Sequence, residues 1–177
     1  MIKSKEVWIR KGYEIYALNG FESLKIEQLA NVVGISKSSF YHHFADLEYF
    51  LENLINHHYQ KCLILSQKEK DCKSIFPELI NILLEHKIDL LFHRQLRINR
   101  NEKVIESALL RSNQILGNYA VMLWAKEINL NLNANQLKGL FEIATDDFYM
   151  RINKDNLDYQ YLSNYFQNLS QITKHFV

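Results

Sequence analysis

A run of small hydroxyl, basic and aromatic side chains stands at residues 36 to 43, in the order Ser-Lys-Ser-Ser-Phe-Tyr-His-His. Hydroxyl groups and imidazole rings can hydrogen-bond to phosphates and base edges, and a lysine at the start of a helix can reach a phosphate. If Phe40 and Phe44 face inward on a helix, the rotation of about 100° per residue turns the polar positions between them outward. The outward positions are then Ser38 and His42, flanked by Ser39 and Tyr41. The run therefore predicts a polar helix face that can meet a nucleic-acid groove.

Two short helices and a tight turn are expected to position this face. In residues 26 to 33, apolar side chains recur at i, i+3, i+4 and i+7, which predicts a helix with one apolar stripe. Gly34 ends that helix, because glycine tolerates the positive φ that a tight turn needs. Ile35 follows as an apolar plug, and Ser36 can cap the next helix by accepting a hydrogen bond from its first free amides. Two short helices joined in this way make a helix-turn-helix.

Further helices are expected on both sides of the motif. Helical periodicity predicts a first helix over about residues 4 to 18, which Asn19 and Gly20 end. Asp46 can cap a long fourth helix that reaches about Lys70. The remaining helices are expected at about residues 74 to 91, 93 to 100, 103 to 128, 134 to 152 and 157 to 176.

Composition favours the same fold class. Only five glycines and one proline, Pro77, occur in 177 residues, and 47% of the residues are hydrophobic. Such a chain can bury a core, and the scarcity of helix breakers favours long helices over short strands. We predict an all-α fold of about nine helices. Residues 1–46 would form the helix-turn-helix domain, and residues 47–177 a larger helical-bundle domain.

Charge, cysteine content and hydropathy argue against several other classes. The formal net charge is +1, so composition gives no basic surface of the kind many nucleic-acid-binding proteins have, and a DNA hypothesis depends on residue placement. Cys62 and Cys72 lack the spacing of a disulfide framework or a structural zinc site. No stretch approaches the roughly 18 to 20 apolar residues of a membrane span, and the N-terminus lacks an apolar signal core. We expect a cytoplasmic protein with no membrane contact and no cofactor.

The residues of the motif also carry a resemblance to a known family. Over about residues 5 to 52 the chain resembles the TetR family of transcriptional regulators, in the segments GFESL, IEQLA and GISKSSFYHHF. Beyond that region, only the number and lengths of the expected helices are similar. The resemblance implies a homodimer that binds a palindromic operator, with the third helix of each subunit in the major groove. It also implies release of the DNA when a small molecule binds.

The resemblance further implies which residues contact DNA. The family's contacts fall on Ser36, Lys37, Ser38, Ser39, Tyr41, His42 and His43. We expect Lys25, just before the second helix, to add a phosphate contact. The sequence departs from the family pattern at Lys25, where Ser or Thr usually caps the helix, and at Leu47, where many members carry a lysine. These departures predict a moderate salt dependence of DNA binding.

Several histidines have a plainer interpretation than metal binding. His57 and His58 have no evident partner at tight metal spacing and are interpreted as solvated or pocket-lining. His86 and His93, with Asp89 between them, could form a metal site, but ordinary side-chain pairing is the favoured interpretation. No metal site is predicted.

Two groups of charged residues in the C-terminal region have side chains that could bind a ligand or take part in catalysis. Arginines at 94, 97 and 100 could bind an anionic ligand, although pairing with acidic residues is the more usual role of such a run. Asp146 and Asp147 diverge by about 100° on a helix, so they do not converge as an acid/base pair, and no catalytic residue is predicted.

An effector pocket and a dimer interface are expected in the C-terminal region. The candidate ligand contacts are Phe92, His93, Arg97, Tyr119, Met122, Trp124 and Phe148. At helical spacing, such an aromatic-rich set is more often plain core. The last two helices, 134 to 152 and 157 to 176, are expected to form a four-helix arrangement with their symmetry mates.

The sequence thus predicts a homodimeric, sequence-specific regulator that binds double-stranded DNA. We expect a ligand-responsive repressor on a palindromic operator, and not an enzyme. Two alternatives stay open at this point. One is a small helical ligand-binding protein or enzyme with a vestigial DNA-binding motif, and the other is a dimeric regulator without an effector.

Overall fold

Ten α-helices follow one another in the computed structural model, which describes residues 2–130 and 133–174, and none of these residues forms a strand. The all-α prediction is confirmed. A 3₁₀ turn at Phe21–Ser23 and a π-helical turn at Ile75–Leu79 lie between helices. The helices are α1 (Ile2–Asn19), α2 (Ile26–Val33), α3 (Lys37–His43), α4 (Leu47–Asp71), α5 (Ile80–Glu85), α6 (Lys87–Ile98), α7 (Lys103–Leu116), α8 (Tyr119–Glu127), α9 (Ala134–Arg151) and α10 (Tyr159–Lys174).

An aromatic core holds the first three helices against the start of α4. Trp8 of α1 is fully buried and meets the Phe40 ring of α3 edge-on, with the ring centroids 5.4 Å apart. Phe50 of α4 lies 5.2 Å from the Phe40 ring and 4.7 Å from the Phe44 ring. Gly12 allows this approach, because a Cβ there would lie only 2.7 Å from Phe50 Cε1.

Helix α1 also packs against the C-terminal region. The Tyr13 ring stacks on the Phe92 ring of α6 with the centroids 4.4 Å apart, and the Tyr16 ring lies 4.6 Å from the same ring. All three side chains are buried. Helix α1 therefore packs against both the helix-turn-helix and α6, within one continuous hydrophobic core.

The expected start of α4 is confirmed. The Asp46 carboxylate accepts a 2.7 Å hydrogen bond from the Tyr49 amide, so it caps the helix as the sequence suggested. From there α4 runs for 25 residues and packs against α1, α6 and α7.

Two expected helix boundaries were wrong, and the second of them accounts for the ten helices of the described residues instead of about nine. The region expected to break after residue 91 instead breaks at His86, whose ring Nδ1 bonds the Asp89 carboxylate at 2.7 Å and so supports the first turn of α6. The region expected as one helix over 103 to 128 divides at Gly117, which has φ 68° and ends α7. A positive φ of this kind interrupts a helix and favours glycine.

The last two helices follow the expected pattern closely. Asn133 begins α9 with a capping box, in which its side chain and that of Gln136 each bond the other's backbone amide. The Tyr165 hydroxyl of α10 donates a 3.1 Å hydrogen bond to the Ala144 carbonyl of α9. The expected final two residues of the last helix, 175 and 176, lie outside the described residues. Across the described part of the chain, none of the helices combines the length and apolarity required to cross a lipid bilayer.

Candidate nucleic-acid interface

The turn between α2 and α3 has the geometry that the sequence predicted. Gly34 adopts a left-handed conformation, with φ 72° and ψ 25°, and its amide donates a 2.9 Å hydrogen bond to the Ala30 carbonyl. No heavy atom lies within 4 Å of where its Cβ would be, so the glycine is required by the backbone angle and not by space. The turn thus sets the angle at which α3 leaves α2.

Helix α3 is fixed on its inner side and open on its outer side. Phe40 is fully buried between Trp8 and Phe50, whereas Tyr41 is 57% exposed. Lys37, Ser38 and His42 are also exposed, and Ser39 is half-buried. The inner anchor therefore holds a polar surface toward solvent.

Ser36 begins α3 without the predicted side-chain cap. Its hydroxyl pairs with the Ser38 hydroxyl at 2.9 Å, and no side-chain bond to a backbone amide is formed. The Ser39 amide instead donates to the backbone carbonyl of Ser36 at 2.9 Å, which satisfies one of the free amides of the first turn. The capping prediction for Ser36 was therefore wrong.

Two basic residues of this surface already have partners in the same chain. Lys37 forms an ion pair with Glu27 of α2, and this hydrogen bond and charge lower the pKa of the Glu27 carboxyl. His43 hydrogen-bonds to the Ser4 hydroxyl of α1. Desolvation, with the nearby charges of His42 and Lys5, lowers the pKa of His43, which favours its neutral form. Sequence periodicity gave no sign of either pairing.

Lys25 remains available for an outside partner. It stands at the N-cap position of α2 and makes no side-chain cap, and its side chain is exposed. A lysine in this position can reach a nearby anion with its flexible stem.

Comparison with known proteins identifies this region. Residues 9–53 match the family described as "Bacterial regulatory proteins, tetR family". This segment, which contains the helix-turn-helix, is similar to the DNA-binding region of that family. The match spans α2, α3 and the first turns of α4, together with most of α1.

The whole fold also resembles a solved protein of this kind. A protein from Rhodococcus sp. that is assigned to the TetR-family transcriptional regulators superimposes with a TM-score of 0.57 at 18% sequence identity. The superposition covers 95% of this chain and 99% of that one. No curated protein sequence matches the chain significantly. The superposition shows a shared fold. The family match over residues 9–53 supports a transcriptional regulator that binds DNA.

Beyond the segment matched by the family, a partly open cavity of about 720 Å³ lies mainly among helices α6 to α10, with Glu69 of α4 and Leu83 of α5 also in its wall. Three of the seven predicted ligand residues line it: Arg97, Trp124 and Phe148. The other four do not. Phe92 is fully buried against α1, His93 points to the α4 side, and Met122 is largely exposed, while Tyr119 packs beside Gly117.

Two arginines lie at one wall of the cavity. Arg97 and Arg100 share a single carboxylate, Asp146, with Arg100 Nη1 at 3.2 Å from Oδ2. The expected pairing with an acidic residue is thus confirmed for Arg97 and Arg100, whereas Arg94 forms no ion pair among the described residues. Burial raises the pKa of Glu69, another lining residue, to about 8, so this carboxyl is mostly uncharged at neutral pH. Arg97 Nε is buried and has no hydrogen-bond partner among the described residues.

A buried cluster of His58, Cys62 and His93 was not predicted. Burial lowers the pKa of His58 well below its usual value and that of His93 to about 3, and it raises the pKa of the Cys62 thiol to about 12. The interpretation of His58 as solvated or pocket-lining was wrong, because its side chain is buried and does not line the cavity. The expectation that His58 has no partner at tight metal spacing was also wrong. Cys62 follows His58 by four residues, which is one helical turn.

Proposed function

We propose that this chain is a homodimeric transcriptional regulator that inserts α3 of each subunit into the major groove of a palindromic operator. The main observation behind this proposal is that α3 is buried on one face and exposed and polar on the other. Its inner side is anchored by the fully buried Phe40, and its outer side presents Ser38, Tyr41 and His42 to solvent. A recognition helix must be rigid toward the protein and polar toward the base edges.

The outward side chains take different roles in this proposal. Tyr41 and His42 contact base edges, since a phenol and an imidazole can each donate and accept hydrogen bonds there. The remaining contacts go to the sugar-phosphate backbone and fix the register on the duplex: Lys25, Ser36, Lys37, Ser38, Ser39 and His43.

A double variant of the two base-reading residues tests this assignment. Tyr41→Ala with His42→Ala should lower the affinity for the chain's own upstream DNA by at least about 30-fold, since each lost base contact costs about 1–3 kcal/mol. The thermal unfolding midpoint should stay near that of the parent protein, because both side chains are exposed. Lys126→Ala, which removes an exposed charge of α8, serves as the control that should leave binding unchanged. Undiminished binding by the double variant would refute the assignment.

The homodimer is proposed to form through α9 and α10. Ile143 and Met150 lie two turns apart on α9, and Ile143 is 70% exposed. On α10, Tyr159 and Ile172 are also exposed. Two such helices and their symmetry mates can form a four-helix bundle that covers these apolar groups. The arrangement would place two recognition helices about one DNA turn apart, as a palindrome requires.

The regulator is further proposed to act as a repressor that an effector releases. The cavity is lined largely by apolar side chains and carries the Arg97 and Arg100 guanidiniums at one wall. This combination suits a molecule with an apolar body and one anionic group. By binding preferentially to a subunit arrangement that misplaces the recognition helices, the effector would shift the population away from the DNA-bound form.

Matched probes of one chain length test the effector class. Decanoate and decyl phosphate should raise the thermal unfolding midpoint, whereas decanol should do so much less, because a ligand stabilises the state that binds it. Arg100→Gln, which alters a half-exposed group, should remove the advantage of the anionic probes. Equal shifts with decanol would show that the arginines do not select the ligand. The absence of any shift would argue for a regulator with no effector of this kind.

A further inference from the structure

Three side chains that commonly ligate metals meet where α4 and α6 pack together behind α1. Cys62 Sγ lies 3.3 Å from His58 Nε2, and His58 Nε2 lies 3.2 Å from His93 Nδ1. All three residues are buried, and their candidate ligand atoms lie within 4.8 Å of one another. None of the three lines the cavity proposed for the effector.

The hydrogen-bond partners of His58 fix which of its nitrogens carries a hydrogen. The Tyr13 hydroxyl donates its only hydrogen to the Asp89 carboxylate at 2.9 Å, because a carboxylate accepts and does not donate. The same hydroxyl lies 2.8 Å from His58 Nδ1, so it must accept a hydrogen there. His58 therefore carries its hydrogen on Nδ1, and Nε2 presents a lone pair to the cluster.

A second chain of hydrogen bonds fixes His93 in the same way. Arg97 Nη2 donates to Asn113 Oδ1 at 3.2 Å, and since a guanidinium only donates, this atom is the amide oxygen. His93 Nε2 lies 3.0 Å from the same oxygen and must donate to it. Nδ1 of His93 is then the nitrogen without a hydrogen, and it faces His58.

Two lone pairs thus face each other across 3.2 Å in a buried site. The single hydrogen of the Cys62 thiol can satisfy only one of the two nitrogens. Buried acceptors without a donor are costly, and their repulsion at this distance adds to the cost. A cation placed among the three ligand atoms would satisfy both nitrogens and the sulfur together.

We propose that His58 Nε2, His93 Nδ1 and Cys62 Sγ bind a thiophilic transition-metal ion of the Zn²⁺ class. Zinc bonds of about 2.0–2.1 Å to nitrogen and about 2.3 Å to sulfur place the ligand atoms of a tetrahedral site roughly 3.3–3.6 Å apart. The separations of 3.2 Å between the two nitrogens and 3.3 Å between His58 Nε2 and the sulfur are close to those edges. The third pair, the sulfur and His93, lies within 4.8 Å. On binding, Cys62 loses its thiol hydrogen to solvent as a proton and the sulfur bonds the metal as a thiolate.

The hydrogen bonds around the cluster match the outer shell that metal-binding histidines usually have. Each imidazole donates its remaining N–H to an oxygen, that of Tyr13 for His58 and that of Asn113 for His93. Such partners hold the ring orientation and make the ligating nitrogen more basic. Tyr13 and Asn113 are positioning residues in this site.

Cobalt titration of the full-length, chelator-treated protein tests the proposal. One Co²⁺ should bind per chain and give the visible absorption of a tetrahedral site together with a near-ultraviolet sulfur-to-cobalt band, and Zn²⁺ should displace it. Cys62→Ser should abolish the sulfur band, and His93→Gln should weaken binding at least about tenfold. The matched control is Cys72→Ser, which changes the other cysteine, a half-buried thiol that donates to the Ser74 carbonyl.

The outcomes separate this site from the proposed DNA function. The Tyr41→Ala, His42→Ala variant should bind Co²⁺ as the parent does, whether or not it binds DNA. An unaltered parent protein that gives no cobalt spectrum would overturn the proposal without recourse to any variant. Loss of the sulfur band in Cys72→Ser, with retention in Cys62→Ser, would overturn the assignment of the ligands. Circular dichroism of each variant establishes that it is folded.

Discussion

Lys37 of α3 forms an ion pair with Glu27 of α2 on the exposed side of the helix-turn-helix. Both side chains are largely exposed, so the pair itself contributes little to stability. Its position matters more, because Lys37 is one of the residues proposed to contact a phosphate. In the free protein the lysine is occupied by a carboxylate, which DNA must displace.

Replacement of Glu27 is therefore expected to strengthen DNA binding. Glu27→Gln removes a negative charge beside the phosphate and frees Lys37, so the affinity should rise a few-fold at low salt and the difference should shrink as salt screens it. Lys37→Gln should lower the affinity and reduce the slope of log K against log salt by about 0.9, as expected for one lost phosphate contact. Fluorescence anisotropy with labelled operator DNA over a salt series measures both.

A charge-matched control separates this local effect from net charge. Asp155→Asn makes the same change in formal charge in the exposed loop before α10. If this variant gained as much affinity as Glu27→Gln, the ion pair would have no specific role.

Replacing each of two glycines with alanine should change the free energy of unfolding in opposite directions. Gly12→Ala places a methyl group 2.7 Å from Phe50 Cε1 and should destabilise the protein by about 1–3 kcal/mol, as overpacked cores do. Gly139 lies in α9 with nothing within 4 Å of its Cβ position, so Gly139→Ala should stabilise the helix by roughly 0.5–1 kcal/mol. Urea unfolding at one fixed protein concentration compares the two. Equal stabilities would contradict the close packing of α1 against α4.

A charge on the exposed face of α9 is expected to break the dimer. Ile143→Glu buries a carboxylate in the proposed interface, and an unpaired buried charge is strongly unfavourable. Light scattering after size-exclusion chromatography should give the dimer mass for the parent protein and the monomer mass for the variant. Val104→Glu is the control, because Val104 is 59% exposed on α7, outside the last two helices. Dissociation by the control and not by Ile143→Glu would place the interface elsewhere.

The buried carboxyl of Glu69 predicts a pH dependence of stability. Its pKa in the folded protein is raised to about 8 by burial, above the value of about 4.3 for an exposed glutamate. The folded state thus holds the proton more tightly, and the associated stability is fully present below about pH 4.3 and is lost as the pH rises toward 8. Glu69→Gln cannot titrate, so the free energy of unfolding should fall over this window in the parent protein relative to the variant. Parallel pH profiles for the two proteins would contradict the raised pKa.

The helix-turn-helix could be predicted because its signals are local. The apolar period of α2, the left-handed turn at Gly34 and the inward position of Phe40 all follow from neighbouring residues. The break at His86 gave no such signal, since neither glycine nor proline marks it, and it depends on the bond from His86 to Asp89. The apolar periodicity of a helix predicts which face a side chain lies on, but it does not predict which residue that side chain contacts.

The pairings that define the sites depend on contacts between distant residues. His43 meets Ser4 across 39 residues, and Arg97 meets Asp146 across 49. Two of the three residues of the metal-type cluster, His58 and Cys62, lie one helical turn apart in the sequence. His93 joins the cluster only because α6 packs against α4. The sequence alone does not predict that packing.

The stacking of Tyr13 on Phe92 has a consequence for attempts to build hybrid regulators. A fusion that joined residues 1–46 to an unrelated sensor would leave Tyr13 and Tyr16, both almost completely buried here, exposed to water. The α6 surface around Phe92 would have to be transplanted with them. The proposed DNA-binding region therefore does not form an independent unit, because α1 packs against the proposed effector domain.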